Sequence, residues 1–351
     1  MATLTEVSFY TRRIIKWSII VILVVMITPI MWRLTKKIYL ALWPPPPPPP
    51  TVRYGKLPAL AWDLPKESYK PQMRLETKQG ALPTLADIGR VYFVETSKSR
   101  ILALDKIKVK AKTLGFSQNP VQINERTYKF THTLESSSLV VDIIADKLTY
   151  KYDWEQDAQI STANVILDQN QIISESKSFF QNLGLLPSDI SDARINITYL
   201  TVLGENIIPS IAPSEANFVR ADLYRADRDN LKFVTASAVS SPINITFGSG
   251  KNQSRKIILA NYNYSKLLDN DFATYPLKSV QSAWDELTAG GGYIAKSAGT
   301  TVVVRQASLA YFEPNYPQRF LQPVYVFEGD GGFTAYIQAV IPEYVDLAQP
   351  K

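Results

Sequence analysis

The longest apolar stretch of the chain lies near its start. From Trp17 to Trp32 the sequence is W-S-I-I-V-I-L-V-V-M-I-T-P-I-M-W, without a charge. Ile14 and Ile15 extend the run if Lys16 snorkels its ammonium group toward the headgroups, and the stretch Ile14–Trp32 then spans roughly 28 Å as a helix, close to the hydrocarbon thickness of a bilayer. Trp17 and Trp32 stand at its ends, where aromatic side chains anchor at membrane interfaces. No small-x-small cleavage site follows, so the pattern predicts an uncleaved single span rather than a signal peptide. Seven prolines, Pro44 to Pro50, come directly after. With φ locked and no N–H, they predict a polyproline II stalk roughly 22 Å long.

Beyond the prolines the pattern changes to short periodic elements. Ser99–Leu114 places Leu104, Ile107, Ala111 and Leu114 at helical spacing, and Gly115 follows as a stop. Strands are expected at Arg126–Thr133, Leu139–Ile144 and Thr149–Trp154, with Ala145-Asp146-Lys147 as a turn in an antiparallel meander. A second helix over Gln171–Leu183 ends at Gly184, and its terminus (Q-N-L-G-L, then Pro187) matches the first (K-T-L-G-F, then Pro120). Strands follow at Ile195–Leu203, Phe218–Arg225, Leu231–Thr235 and Ile257–Tyr264. Alternation in F-V-R-A-D-L-Y-R predicts a half-buried strand with Arg220, Asp222 and Tyr224 on its outer face, and Ala226–Asn230 is expected to close a hairpin. The third helix begins at Ser279 as N-cap, carries Val280, Ala283, Trp284 and Leu287 on one face, and stops at Gly290-Gly291-Gly292. Thr300–Phe312, Val324–Phe327 and Phe333–Ile341 read as strands, the last two joined by Gly329–Gly332. The chain is therefore expected to be α+β: a transmembrane helix, a proline stalk, and a helix-plus-antiparallel-sheet unit written three times. The expected boundaries are 1–38 for tail and span, 39–60 for the stalk, and 61–155, 156–271 and 272–351 for the units.

Charge sharpens this division. Of the 351 residues, 38 are Lys or Arg and 32 are Asp or Glu, yet residues 1–50 hold six basic side chains against Glu6 alone. The folded part is nearly neutral. It has no basic stripe of the kind nucleic-acid binding requires, and Lys106, Lys108, Lys110 and Lys112 read as the solvated side of a helix. There is no cysteine and one histidine, which excludes disulfides, thiolate metal cages and multi-histidine metal sites. No phosphate loop, nucleophile elbow or zinc-protease motif occurs. His132 is read as a strand-surface residue whose loss changes little. Asp269-Asn270-Asp271 starts like a calcium loop, but Phe272-Ala273-Thr274 follow where glycine and oxygen ligands are needed. No catalytic, cofactor or metal residue is assigned. Aromatic side chains crowd the last unit. Strand alternation puts half of them in the core, and Tyr311, Phe312, Tyr316 and Phe320 are the candidate partner-binding residues.

The residues Tyr275-Pro276-Leu277, Ser279, Ala283-Trp284, Leu287, Gly292-Tyr293-Ile294, Leu309-Ala310-Tyr311, Leu321–Phe327 and Ala335-Tyr336-Ile337 resemble a PepSY-type unit. They are similar to the C-terminal part of the YycH/YycI proteins, membrane-anchored regulators of a cell-envelope two-component system. The resemblance covers residues 272–342. It implies one N-terminal span and an extracytoplasmic α+β domain, and so an orientation that the tied count of basic residues on either side of the span does not decide. The expectation is a non-enzymatic, single-pass protein of the bacterial cytoplasmic membrane, with its C-terminal domain outside, binding a protein or peptide and regulating a sensor or envelope assembly. Two alternatives stand beside it. A cell-wall hydrolase would need a facing Asp/Glu pair. A structural subunit of a secretion or surface machine would expose an apolar flank.

Overall fold

The structure, a computed structural model, describes residues 4–43, 48–62, 70–95, 103–145, 147–157, 160, 168–191, 194–204, 206–249, 255–297, 299–314, 316 and 318–346. Pro44–Pro47, the first turn expected at 99–102, and Asp146 lie outside the described residues. The chain divides into two compact units, residues 1–49 and 50–351.

The first unit is one helix, α1 (Leu4–Leu42), with Pro29 inside it. The stretch Ile15–Leu40 is long and apolar enough to cross a membrane. Trp17 and Trp32 are exposed on it, as are the Ile, Leu, Val and Met side chains between Ile15 and Leu42.

The second unit opens with β1 (Leu57–Pro58), β2 (Gln72–Leu75) and β3 (Ile88–Val94), then α2 (Ala103–Thr113) and strands β4 (Val121–Gln122), β5 (Thr127–Thr131), β6 (Ser137–Asp142) and β7 (Lys147–Tyr152). Helices α3 (Gln169–Asn182) and α4 (Ser188–Ser191) lead into β8 (Ile195–Leu203), β9 (Asn206–Pro209), β10 (Phe218–Leu223), β11 (Lys232–Thr235), β12 (Ile243–Ser249), β13 (Arg255–Tyr262) and β14 (Leu267–Pro276). Helix α5 (Val280–Thr288) precedes β15 (Tyr293–Lys296), β16 (Thr301–Glu313), β17 (Phe320–Gly329), β18 (Thr334–Gln338) and β19 (Val345–Asp346).

All three anticipated helix stops are present, and they share one geometry. Gly115, Gly184 and Gly290 have φ of 88°, 62° and 89°. The residue after each glycine donates its N–H back across the last turn: Phe116 to the Ala111 carbonyl at 3.0 Å, Leu185 to Phe180 at 2.7 Å, Gly291 to Glu286 at 2.9 Å. This is the Schellman closure, and glycine supplies the left-handed residue it needs. At the other end of α5, the Ser279 hydroxyl accepts from the Ser282 N–H at 3.1 Å, as an N-cap does.

The strands form two large sheets. The first has nine strands in the order β4-β5-β6-β7-β13-β12-β10-β8-β9, and α2 and α3 both cover the same face of it. Ala111 and Phe116 of the first helix end meet Ile172 and Phe180 of α3, over Phe130, Val141, Val219, Ala221 and Ile245. The second sheet has eight strands, with β11-β16-β17-β18-β15 as its main run; β2 pairs with β16, while β3 lies between β14 and β17. Helix α5 packs Val280, Ala283 and Leu287 against Tyr325, Phe327 and Ile337, while Val324 and Val326 point to the opposite face.

This topology does not divide the chain at residues 155 and 271. Strands β2 and β3 belong to the C-terminal sheet, and β7 pairs with β13 to run the meanders before and after residue 155 into one sheet. The β2–β16, β11–β16 and β1–β19 contacts are parallel pairings between distant segments, which no local turn announces. The Ala226–Asn230 segment does turn, but β11 does not return to β10. It crosses to the other sheet and lies parallel to β16. Nor is β10 half-buried. Asp222 is 1% exposed, accepting from Arg220 Nε and the Ser241 N–H at 2.9 Å each, and burial raises its carboxyl pKa.

Where β10 and β13 end, the joint between the sheets is ionic and buried. Arg225, with its side chain 3% exposed, donates to Asp189 Oδ2 at 2.6 Å and Glu313 Oε1 at 2.7 Å. Its guanidinium lies 4.4 Å from the Tyr264 ring centroid and 5.2 Å from that of Phe233.

His132 also departs from its expected role. Its Nδ1 accepts the N–H groups of Leu134 at 3.2 Å and Glu135 at 3.0 Å, and its ring meets Phe116 edge-on with centroids 5.6 Å apart. It caps a turn beside the end of α2 rather than standing free on a strand.

Candidate functional site

The four aromatic residues expected to meet a partner are mostly spent on the interior. Tyr311 is 0% exposed and Phe312 1%. Tyr311 sits between Tyr92 and Phe233 and donates its hydroxyl to Asp229 Oδ2 at 2.8 Å, where Tyr92 also donates at 2.7 Å. Burial and that carboxylate drive the Tyr311 phenol pKa up. Phe312 packs on Trp62 and Tyr336. Tyr316 is half-buried and accepts the Ala61 N–H at 3.0 Å. The correction has a simple cause: the end of β16, from Ala310 to Glu313, and most of β17 are covered on both faces, so alternation there does not separate core from surface. Phe320 alone has an edge in an open site.

That site begins immediately after the prolines. Val52 has φ of 43° and Gly55 φ of 68°, and the Gly55 N–H donates to the Val52 carbonyl at 3.1 Å. A β-branched residue in the left-handed region is strained, and such strain persists only where surrounding contacts impose it. Here β14 imposes it. The Val52 N–H donates to the Thr274 carbonyl at 3.0 Å, and the Tyr54 N–H to the Tyr275 hydroxyl at 3.1 Å. The Tyr275 hydroxyl in turn donates to the Gly55 carbonyl at 3.0 Å, and burial raises its pKa. These three bonds pin the turn to β14, in addition to the one it makes within itself.

The pinned turn aims Arg53, Tyr54 and Lys56 at an open hollow of about 520 Å³ whose other walls are Phe93, Asp271, Arg319 and Phe320. Phe93 and Phe320 are cross-strand partners in the β3–β17 pairing, so their spacing is set by the sheet. Tyr54, Phe93 and Phe320 form a triangle of rings with centroids 4.9, 5.8 and 6.3 Å apart. The Arg319 guanidinium lies 5.6 Å from the Phe93 centroid and 5.7 Å from that of Phe320. Arg53 lies 5.1 Å from the Tyr54 ring and is ion-paired with Asp271, which also accepts the Tyr54 hydroxyl at 2.8 Å. Lys56 and Arg319 have no carboxylate partner among the described residues.

The hollow therefore offers cations around an aromatic floor. Its one carboxylate is engaged, and none of its lining residues is a serine, histidine or second acid positioned as a nucleophile–base set. Asp269 and Asp271, the start of the calcium-like sequence, lie on β14 and are ion-paired to Arg228 and Arg53. Among the described residues, no three or more His, Asp or Glu side chains gather as a metal site. Of the lining residues, Phe320 was singled out by aromatic density. Arg53, Tyr54 and Lys56 carry only the weak signal of a V-R-Y-G-K turn after the prolines, and Phe93 and Arg319 are brought in by a pairing between residues more than 200 apart in sequence.

No protein-family model matches the chain, and no curated protein does. Among solved structures it is similar to that of an uncharacterized protein from Eubacterium rectale, at 10% identity and a TM-score of 0.40, over 73% of this chain and 82% of that one.

Proposed function

We propose that this protein is a non-enzymatic, single-span protein of the bacterial cytoplasmic membrane whose C-terminal domain lies outside and binds a protein or peptide partner through the Tyr54–Phe93–Phe320 hollow. The observation that carries the reading is the strained Val52 turn, held by β14 so that Arg53, Tyr54 and Lys56 face an aromatic floor with two cations, Lys56 and Arg319, that have no carboxylate partner among the described residues. Rigid aromatic side chains and arginines are the groups from which interface anchors are drawn. The seven prolines act as the spacer between anchor and domain. The α2 half with four strands and the α3 half with five, which meet at β7 and β13, are read as two of three copies of one unit, the PepSY-like one being residues 272–342, in keeping with a binding module and a regulatory role in the envelope. The test is a photo-crosslinking residue placed at Lys56 in the full-length protein in its own membrane. A discrete adduct that disappears with Arg319→Glu supports the reading, and an adduct pattern indifferent to that change refutes it.

A second reading, a structural subunit of a surface or secretion machine, is favoured by one feature. Leu203, Ile207, Ile208 and Ile211 are exposed by 66, 40, 36 and 101% at the β9 edge of the nine-stranded sheet. If that edge is an assembly surface, Ile211→Asp will disperse a higher-order complex in membrane extracts, whereas under the first reading it changes nothing.

A further inference from the structure

Arg53, Lys56 and Arg319 against Asp271 leave the hollow with two surplus positive charges. Asp271 already shows how its cations receive an acid: one carboxylate takes the Arg53 guanidinium and the Tyr54 hydroxyl together. Arg319, held over Phe93 and Phe320, presents the same planar fork without an occupant among the described residues. Beside it, the three mutually touching rings form a floor suited to a flat or bulky apolar group. A ligand that satisfies both halves carries a carboxylate next to an aromatic or large aliphatic side chain. Three cations are fewer than a membrane-docking polybasic cluster uses, and a folded part that is nearly neutral lacks the footprint for nucleic acid.

We infer that the hollow recognises an acidic peptide segment, with a carboxylate seated between Arg319 and Lys56 and a neighbouring aromatic side chain on the Tyr54–Phe93–Phe320 floor. This rests on the binding-module reading above and names its ligand chemistry. Asp271 then has a second consequence: its negative charge, one wall of the same hollow, opposes an incoming carboxylate.

The experiment uses the full-length protein in nanodiscs of zwitterionic lipid and fluorescence anisotropy of a rhodamine-labelled pentapeptide, Gly-Ser-Gly-Phe-Glu, with a free C-terminus. Saturable binding that weakens with salt is expected, with a loss of about tenfold for Arg319→Gln, the worth of one charge-assisted contact, and at least as large a loss for the amidated Phe-Gln peptide, which lacks both carboxylates. Lys56→Gln acts in the same direction, and Asp271→Asn tightens binding several-fold, a gain that a merely structural residue would not give. Arg305→Gln, remote from the hollow and paired with Glu76 and Asp330, leaves it unchanged. Equal binding of the amidated peptide, indifference to Arg319→Gln, or weaker binding by Asp271→Asn overturns the inference. So does displacement of the peptide by equimolar inorganic phosphate, or tighter binding to phosphatidylglycerol vesicles than to the peptide. If the Lys56 crosslink still depends on Arg319 while the peptide fails, the ligand chemistry falls and the binding module stands. If the crosslink ignores Arg319, the module itself falls.

Discussion

Replacing Gly115 by alanine tests how two local structures lock each other. The residue ends α2 at φ 88°, so any β-carbon there costs about 1–2 kcal/mol. At Gly115 that carbon would also lie 2.6 Å from His132 Nε2 and 3.1 Å from Cδ2. The imidazole cannot swing away freely, because Nδ1 accepts two backbone N–H groups and the ring rests on Phe116. Giving up those bonds costs about 1 kcal/mol each, so Gly115→Ala is expected to destabilise the domain by about 3 kcal/mol. Gly184 supplies the internal control. It ends α3 with the same closure at φ 62°, but its β-carbon would meet only Lys110 Nζ, at 3.9 Å, so Gly184→Ala should cost about 1 kcal/mol. In a His132→Ala background the Gly115→Ala penalty should fall to about 1 kcal/mol, a coupling of about 2 kcal/mol. Urea unfolding of the full-length variants in micelles, followed by near-ultraviolet circular dichroism, gives all four values. Equal costs at Gly115 and Gly184, or a coupling below about 0.5 kcal/mol, would refute the steric lock.

Three further outcomes follow from the interior and the anchor. Arg225→Met leaves Glu313 and Asp189 without their cation and should cost about 3–5 kcal/mol, part of it restored by adding Glu313→Gln; thermal melts of the single and double variants measure this. The phenols of Tyr150, Tyr264 and Tyr325 are pushed up to about 12, chiefly by burial, so each stays protonated in the fold at a pH where the unfolded chain has ionised. Their contribution is complete below about pH 10 and drains as pH rises toward 12, so urea midpoints should fall across that window and fall less in Tyr325→Phe; a flat profile would contradict the burial of these groups. Protease added to spheroplasts should digest the C-terminal domain and spare the N-terminal tail, and survival of the domain until lysis would reverse the proposed topology.

What the sequence disclosed is local chemistry. The glycine stop after each helix, the Ser279 cap and the alternating meanders depend on contacts within six residues or on adjacent hairpins, and strand Ile195–Leu203 has the limits its pattern suggests. Among the strands passed over, β12 and β14 differ in what their sequence offered. β12 carries an alternating I-N-I-T-F pattern although Asn244 and Thr246 on its second face are buried too, whereas β14 has Asp269, Asn270 and Asp271 in its middle, a triplet that favours turns and is held extended by ion pairs to Arg228 and Arg53. The hollow was visible only in fragments, because its halves, residues 53–56 and 319–320, meet through β3 and β14, neither of which was foreseen.

Strand β3 has a consequence for the order in which the chain is made. Its partners are β14 and β17, and β1 waits for β19, almost at the other end of the chain. The nine-stranded sheet has all its strands by Tyr262, but V-Y-F-V at the end of β3 meets Phe320 and Leu321 only after more than 200 further residues have appeared. The first edge it can join, β14, is complete about 180 residues after β3, so at about 5–20 residues per second the apolar strand waits roughly 9–36 s. A chain made in this order needs something to shield residues 88–94 in the interval, and slowing synthesis between residues 94 and 276 should lower its yield more than slowing it anywhere after residue 346.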